Sequence, residues 1–317
     1  MRREIRSIAA MAVLLVGSQI AAIALSPVFA GAGFQAFQRP EDVTNTVIYL
    51  IMILAFTAVI LGLVRYRRQN VAKYVIMASI FITLAFILLL PLFYALDYAT
   101  GGTGDPNLLG NVATVLAFAV AAGLVYLLIK FPEWYVVDAI GILTAAGVTA
   151  ILGISFGIFP AILLLIALAI YDAWAVYRTK HMITLASELT NQRLPILLVI
   201  PKKAGYSFRQ QKSLKEQVAS GEEREAMFVG LGDLIIPGIL SVSAYTFLSP
   251  SGSNFLGLMS NTIVAIGTVL GCLIGFLILM RYVLRGNPQA GLPLLNGGAL
   301  LGFIITNLLV YGTVHIL

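Results

Sequence analysis

The sequence predicts an all-α polytopic membrane protein of nine transmembrane helices, with the N-terminus cytoplasmic and the C-terminus outside. Three observations lead there. Of the 317 residues 60% are hydrophobic and only 11% charged, and the mean hydropathy of +0.96 lies far outside the soluble globular range. Cut at its charges, prolines and Gly/Ser/Asn clusters, the chain falls into apolar runs over 8–30, 45–64, 74–96, 108–129, 135–158, 160–177, 228–248, 259–284 and 290–317. Each holds roughly 18 to 28 residues, enough for a helix to cross a hydrocarbon core about 30 Å thick. Finally, Lys and Arg collect on alternate connections: Arg2, Arg3 and Arg6; Arg65, Arg67, Arg68 and Lys73; Lys130; the basic 178–215 segment; Arg281 and Arg285. The other connections carry only Arg39 and the acids Glu41, Asp42, Asp97 and Asp105, which by the positive-inside rule sets the orientation.

The first run follows Met1-Arg2-Arg3 and ends near Ala30-Gly31-Ala32, a pattern shared with signal peptides. It is longer than a typical signal core and is read as an uncleaved first span. Trp134 and the tyrosines near run ends are interfacial anchors. Asp138, four residues past Trp134, is expected to be wetted, with Lys130 available as a partner. Only 157–160 separates the fifth run from the sixth. The eighth run carries Gly267, Gly271 and Gly275, a spacing that favours close helix packing over self-association.

Residues 178–226 break the pattern with Lys202, Lys203, Arg209, Lys212, Lys215, Glu216, Glu222, Glu223, Arg224 and Glu225, over a length no tight turn needs. Within this polar cytoplasmic connection, 182–192 has the spacing of an interfacial amphipathic helix. Residues 194–200 read as a short extended stretch ending at Pro201, and 205–220 as a mobile segment. The chain is expected to form one membrane domain over 1–317, with scaffold helices in 1–159 and the chemistry in 160–317.

Several function classes fall away. The net charge of +6 is met by a basic cytoplasmic face on anionic lipid, and no nucleic-acid partner is needed. A single Cys272 excludes an intramolecular disulfide and a cysteine metal cluster. With two histidines and no His-Glu-x-x-His, a zinc protease is disfavoured, and neither a metal nor another cofactor is expected. Gly153-Ile154-Ser155-Phe156-Gly157 matches the Gly-x-Ser-x-Gly pattern, and His315 lies toward the same face. That serine mechanism needs a strand-turn-helix setting, which a helical membrane protein lacks.

Two aspartates remain, Asp172 in the sixth run and Asp233 at the head of the seventh. A carboxyl group at membrane depth is costly unless neutral, paired or wetted, so each marks a candidate site. Asp172 lies five residues before Tyr177 and Asp233 five after Phe228, roughly 7 to 8 Å from the same membrane face. Antiparallel neighbours would bring them face to face, sharing one proton, the state an aspartyl hydrolase uses. Charge alone leaves open a helix-pinning pair or a cation or proton pathway. Gly230 and Gly232 weaken the helix before Asp233 and let an extended backbone approach. Pro293, in Gly291-Leu292-Pro293-Leu294-Leu295, leaves backbone groups unpaired at the head of the ninth span, on the same side.

The order Tyr171-Asp172, Gly230-Leu231-Gly232-Asp233, Pro293-Leu294-Leu295 resembles the presenilin and signal peptide peptidase family of intramembrane aspartyl proteases, most closely its archaeal members. The likeness covers the nine-span architecture over the whole chain and the motifs over its last half. Leu294 departs from the family's Ala, and Asn296 stands where a second Pro is common. The resemblance implies a presenilin-like fold with Asp172 and Asp233 as the catalytic dyad. Tyr171, Gly230, Leu231, Gly232, Pro293, Leu294 and Leu295 would shape the substrate cleft. It further implies transmembrane helical peptides as substrates, entering laterally from lipid beside the sixth and ninth spans. There they would unwind and add as a strand beside the sixth-to-seventh connection. The orientation matches presenilin, in the plasma membrane of a prokaryote, acting as a single chain or a homo-oligomer. A prepilin-peptidase-like enzyme also carries Gly-x-Gly-Asp, but it cuts just outside the membrane and fits the Tyr-Asp and late proline motifs less well.

Overall fold

The computed structural model describes residues 2–66, 68–179, 197–202, 205–208, 226–250, 257–284 and 289–315. In chain order these form α1 (Arg2–Gly31), α2 (Thr44–Arg65), α3 (Gln69–Ala99), α4 (Pro106–Lys130), α5 (Trp134–Ser155) and α6 (Ile158–Trp174). A π-helical turn, Ala175–Thr179, extends α6. There follow β1 (Leu197–Pro201), β2 (Ala226–Gly230), α7 (Leu231–Phe247), α8 (Ser260–Val283) and α9 (Leu292–Tyr311). Among the described residues eight helices are long and apolar enough to cross a membrane, and α7 is a shorter apolar helix of 17 residues.

Burial sorts the helices. α5 and α8 are largely enclosed; α1 and α7 pack on both, whereas α2 and α4 leave most of their surface open. On α2 the open surface is apolar, with Val47, Ile51, Phe56 and Val59 exposed, as suits a helix against lipid. The closest helix pair is α8 with α9. Gly271 lies against the carbonyl of Gly298, Gly298 against that of Gly271, Gly302 against that of Gly267, and Gly275 against that of Leu294. The glycine series of the eighth run thus serves packing within the chain.

The break between α5 and α6 falls at Phe156 and Gly157, just ahead of the expected 157–160. Phe156 is extended, and Gly157 donates its N–H to the Pro40 carbonyl at 2.8 Å. A Cβ on Gly157 would stand 3.2 Å from the Pro40 carbonyl oxygen and 2.7 Å from Glu41 Oε2, so a larger residue there would make the Glu41 side chain move aside. Pro160 then sits in the first turn of α6, where a missing N–H leaves no intrahelical bond unmade. At the other end of the chain Gly312, at φ +74°, caps α9 in the left-handed conformation, so the helix stops short of the expected 317.

Two sequence expectations are corrected, and the serine mechanism set aside above stays set aside. The seventh run does not begin as helix: 226–230 is a strand, and α7 starts only at Leu231. Asp138 is not wetted and not partnered by Lys130; it is 6% exposed, and its Oδ1 accepts the Val199 N–H at 2.7 Å. Ser155 is no nucleophile in waiting, since its Oγ donates to the Ile151 carbonyl and accepts the Ala36 N–H at 2.8 Å. The extended stretch ending at Pro201 is present as β1, antiparallel to β2, with Leu197 opposite Gly230, Val199 opposite Phe228 and Pro201 opposite Ala226. The amphipathic helix expected over 182–192 and most of the 205–220 segment lie outside the described residues.

Candidate active site

Asp172 stands two residues before the end of α6, buried to 5% exposure, while its neighbour Tyr171, turned by about 100° around the helix, is half-buried. Its Oδ2 accepts the Leu292 N–H at 3.0 Å, and the Gly291 N–H is directed at the same carboxylate. Both donors belong to the uncapped head of α9, whose first N–H groups have no partner within the helix. Asp172 therefore caps a helix 120 residues away. Pro293, second in α9, has no N–H to satisfy, and the N–H groups of Leu294 and Leu295 both reach the Gly291 carbonyl at 3.2 Å. The backbone groups that the proline motif was expected to leave unpaired are thus partly taken up, by Asp172 itself.

Asp233 occupies the third position of α7, nearer the helix start than a run beginning at 228 implied. The residue as a whole is half-buried, and its carboxylate turns inward and back toward the N–H of Gly230, the residue that caps α7. This is the reciprocal half of a capping box. Pro237, four residues on, has no N–H for the Asp233 carbonyl, which loosens the first turn of α7. Leu231 packs on α5 at Gly141, where a Cβ would stand 3.3 Å from Leu231 Cδ2. Gly232 is open, with only Ile236 Cδ1 within reach of a Cβ.

Gly291 joins the two acids. A Cβ there would stand 3.2 Å from each carboxylate oxygen of Asp233, while the Gly291 and Leu292 N–H groups face Asp172. Asp172 and Asp233 are thereby brought into electrostatic range of each other at the head of α9. A second tie supports this meeting: the Tyr177 hydroxyl donates to Gln289 Oε1 at 2.7 Å, linking the middle of the π turn to the approach to α9. The sequence reading missed Gly291, Leu292, Tyr177 and Gln289 as site residues. Only Gly291 had a visible signal, as a glycine directly before Leu292-Pro293.

The residues around the two acids, proposed and missed alike, thus divide. Gly230 and Gly291 lie against the Asp233 carboxylate, Leu292 holds Asp172, and Pro293 stands in the first turn of α9. Leu295 faces inward at 1% exposure, and the Leu294 carbonyl lies on Gly275. Among the described residues no three His, Cys, Asp or Glu side chains cluster as metal ligands.

The model of the family "signal-peptide peptidase, presenilin aspartyl protease" matches residues 11–312. A solved presenilin family intramembrane aspartate protease in a C222 crystal is similar over 95% of this chain and 99% of its own, at 34% identity and a TM-score of 0.65. Another, in a P2 crystal, is 36% identical over 95% of this chain and 97% of its own, with a TM-score of 0.63. No curated protein matches. A family match over nearly the full length, two structural likenesses at this identity and two acids meeting at the head of α9 agree: the chain belongs to the signal-peptide peptidase and presenilin family of intramembrane aspartyl proteases.

Proposed function

We propose that Asp172 and Asp233 are the dyad with which this chain hydrolyses peptide bonds in transmembrane segments of other proteins. The observation that carries the proposal is their convergence on one peptide, Gly291–Leu292, from helices separated in sequence by the whole polar connection. Two carboxyls so close do not readily ionise together and hold one proton between them. The carboxylate takes a proton from water as its oxygen attacks the scissile carbonyl carbon. The other acid gives its proton to the carbonyl oxygen, and the tetrahedral intermediate collapses with protonation of the leaving amine.

A helical substrate must first be unwound, and the sheet supports that reading. β2 runs directly into the capping residue of α7, and a strand added along its outer edge would be led toward Asp233. We place the N-terminus in the cytoplasm of a prokaryote, with α1–α5 as scaffold, α6–α9 as the catalytic half and lateral entry beside α6 and α9. A self-associated form is compatible with this reading.

The test is cleavage of single-span reporter peptides in liposomes by the purified chain beside Asp172→Ala and Asp233→Ala, with products located by mass spectrometry. Cuts within the apolar segment that vanish in both variants are expected. Persistence of cutting in either variant, or an inert unsubstituted chain, overturns the dyad; cation or proton flux in its absence would turn the same acids into a pathway.

A further inference from the structure

Asp138 has no part in the chemistry above, yet a carboxyl buried at 6% exposure with a backbone N–H as its partner is an expensive feature to keep. Its partner, Val199, lies 61 residues away in the middle of β1. In an antiparallel pair, backbone groups point alternately toward and away from the partner strand. Since Val199 gives its N–H to Asp138, Val199 and the opposite Phe228 both turn outward. Further along the outer edge of β1, Pro201 has no N–H, and its carbonyl accepts the Ser7 hydroxyl of α1 at 3.2 Å. α5 and α1 thus lie against that edge and take up the Val199 N–H and the Pro201 carbonyl. The outer edge of β2, with Ala226, Phe228 and Gly230 facing outward, has no strand on it among the described residues.

The same end of α5 holds the return of the connection. Glu133, which caps α5, accepts the Ser207 hydroxyl at 2.8 Å and the Phe208 N–H at 3.1 Å. Phe208 is buried and its ring centroid lies 6.4 Å from that of Phe228. One turn past Asp138, Gly141 makes the seat flat: a Cβ there would stand 3.0 Å from Leu198 of β1 and 3.3 Å from Leu231 of α7. The N-terminal end of α5 thus touches β1, the segment behind β2 and the first residue of the helix that carries Asp233.

We propose that Asp138 is a positioning residue for proteolysis: by holding β1 from its outer edge, with Glu133 bracing Phe208 behind β2, it leaves only β2 to receive an extended substrate and sets which peptide bond reaches Asp233. The proposal rests on the dyad reading above. It requires an acceptor oxygen at 138 and not a negative charge, so Asn serves and Leu does not.

The experiment uses the purified chain, Asp138→Asn, Asp138→Leu and Glu133→Ala on one single-span reporter. It reads kcat, KM, the bond cut and amide exchange over 197–201. Asp138→Asn keeps the cut and a KM within about threefold. Asp138→Leu raises KM roughly tenfold, the size of one lost hydrogen bond, spreads the cut over neighbouring bonds and speeds exchange at Val199. A folded Asp138→Leu with unchanged KM, cut and exchange overturns the proposal while leaving the dyad standing, and so does an Asn variant that behaves like Leu. Should Asp138→Leu fail to fold, Glu133→Ala decides: a widened cut upholds the proposal and an unchanged one overturns it. An unsubstituted chain that cuts nothing overturns the dyad reading and this one with it.

Discussion

At the scale of single residues, the site depends on two backbone N–H groups and the side chain that Gly291 lacks. Gly291→Ala would push a methyl group against both oxygens of Asp233, at 3.2 Å, and shift that carboxylate by a few tenths of an ångström or more. Cleavage is expected to fall by roughly ten- to a hundredfold, because small displacements of a reacting group are costly, with a melting temperature close to that of the parent. Asp172→Asn and Asp172→Ala should part company. The amide oxygen of Asn still accepts the Leu292 N–H, so the chain stays stable and only cleavage is lost. Ala leaves that N–H buried and unpaired, and unfolding in detergent should show a further loss of about 1 to 3 kcal/mol. The sequence identified both aspartates because an acid in an apolar run is conspicuous. It missed the Leu292 N–H because a backbone donor has no residue type, and it misjudged Asp138 because a position near a helix start does not tell which strand will cover it.

At the scale of elements, the α8–α9 contact and the two-stranded sheet differ in how legible they were. The small-residue spacing announced the contact, since in lipid close backbone approach is what small residues permit. Gly271→Ala should therefore destabilise the chain despite the higher helix propensity of alanine, because its Cβ would collide with the Gly298 carbonyl and the Gly302 backbone. Gly123→Ala on α4, where nothing lies within 4 Å of the new Cβ, should be neutral or slightly stabilising. Thermal unfolding of the two variants side by side checks the pair; the same sign in both would sink the packing argument. β2, by contrast, was read as the start of a span. Ala226-Met227-Phe228-Val229-Gly230 is a short apolar run flush with a helix, and periodicity alone does not separate a buried strand from a helical turn over five residues. Pairing with β1, itself held by Asp138, decides it.

At the scale of the whole molecule, nine crossings, α7 included, would put the two termini on opposite faces of the membrane. In sealed vesicles of known orientation, a protease-sensitive tag at the N-terminus should be cut only from the cytoplasmic face and one at the C-terminus only from the other. Both tags cut from one face would mean that α7, with its 17 residues, does not complete a crossing. Composition and charge placement determined the membrane class, the helix count and the expected orientation, because solvation by lipid acts on each segment according to its own residues. The identities of Asp172, Asp233 and the proline motif were equally local and stood in the sequence. Only the tertiary structure decided that the head of α9 joins the two acids, that Gly291 admits the carboxylate of Asp233, and that α5 carries the sheet through Asp138. Those relations are contacts across 58 to 120 residues between backbone groups and side chains, and no local pattern of hydrophobicity encodes them.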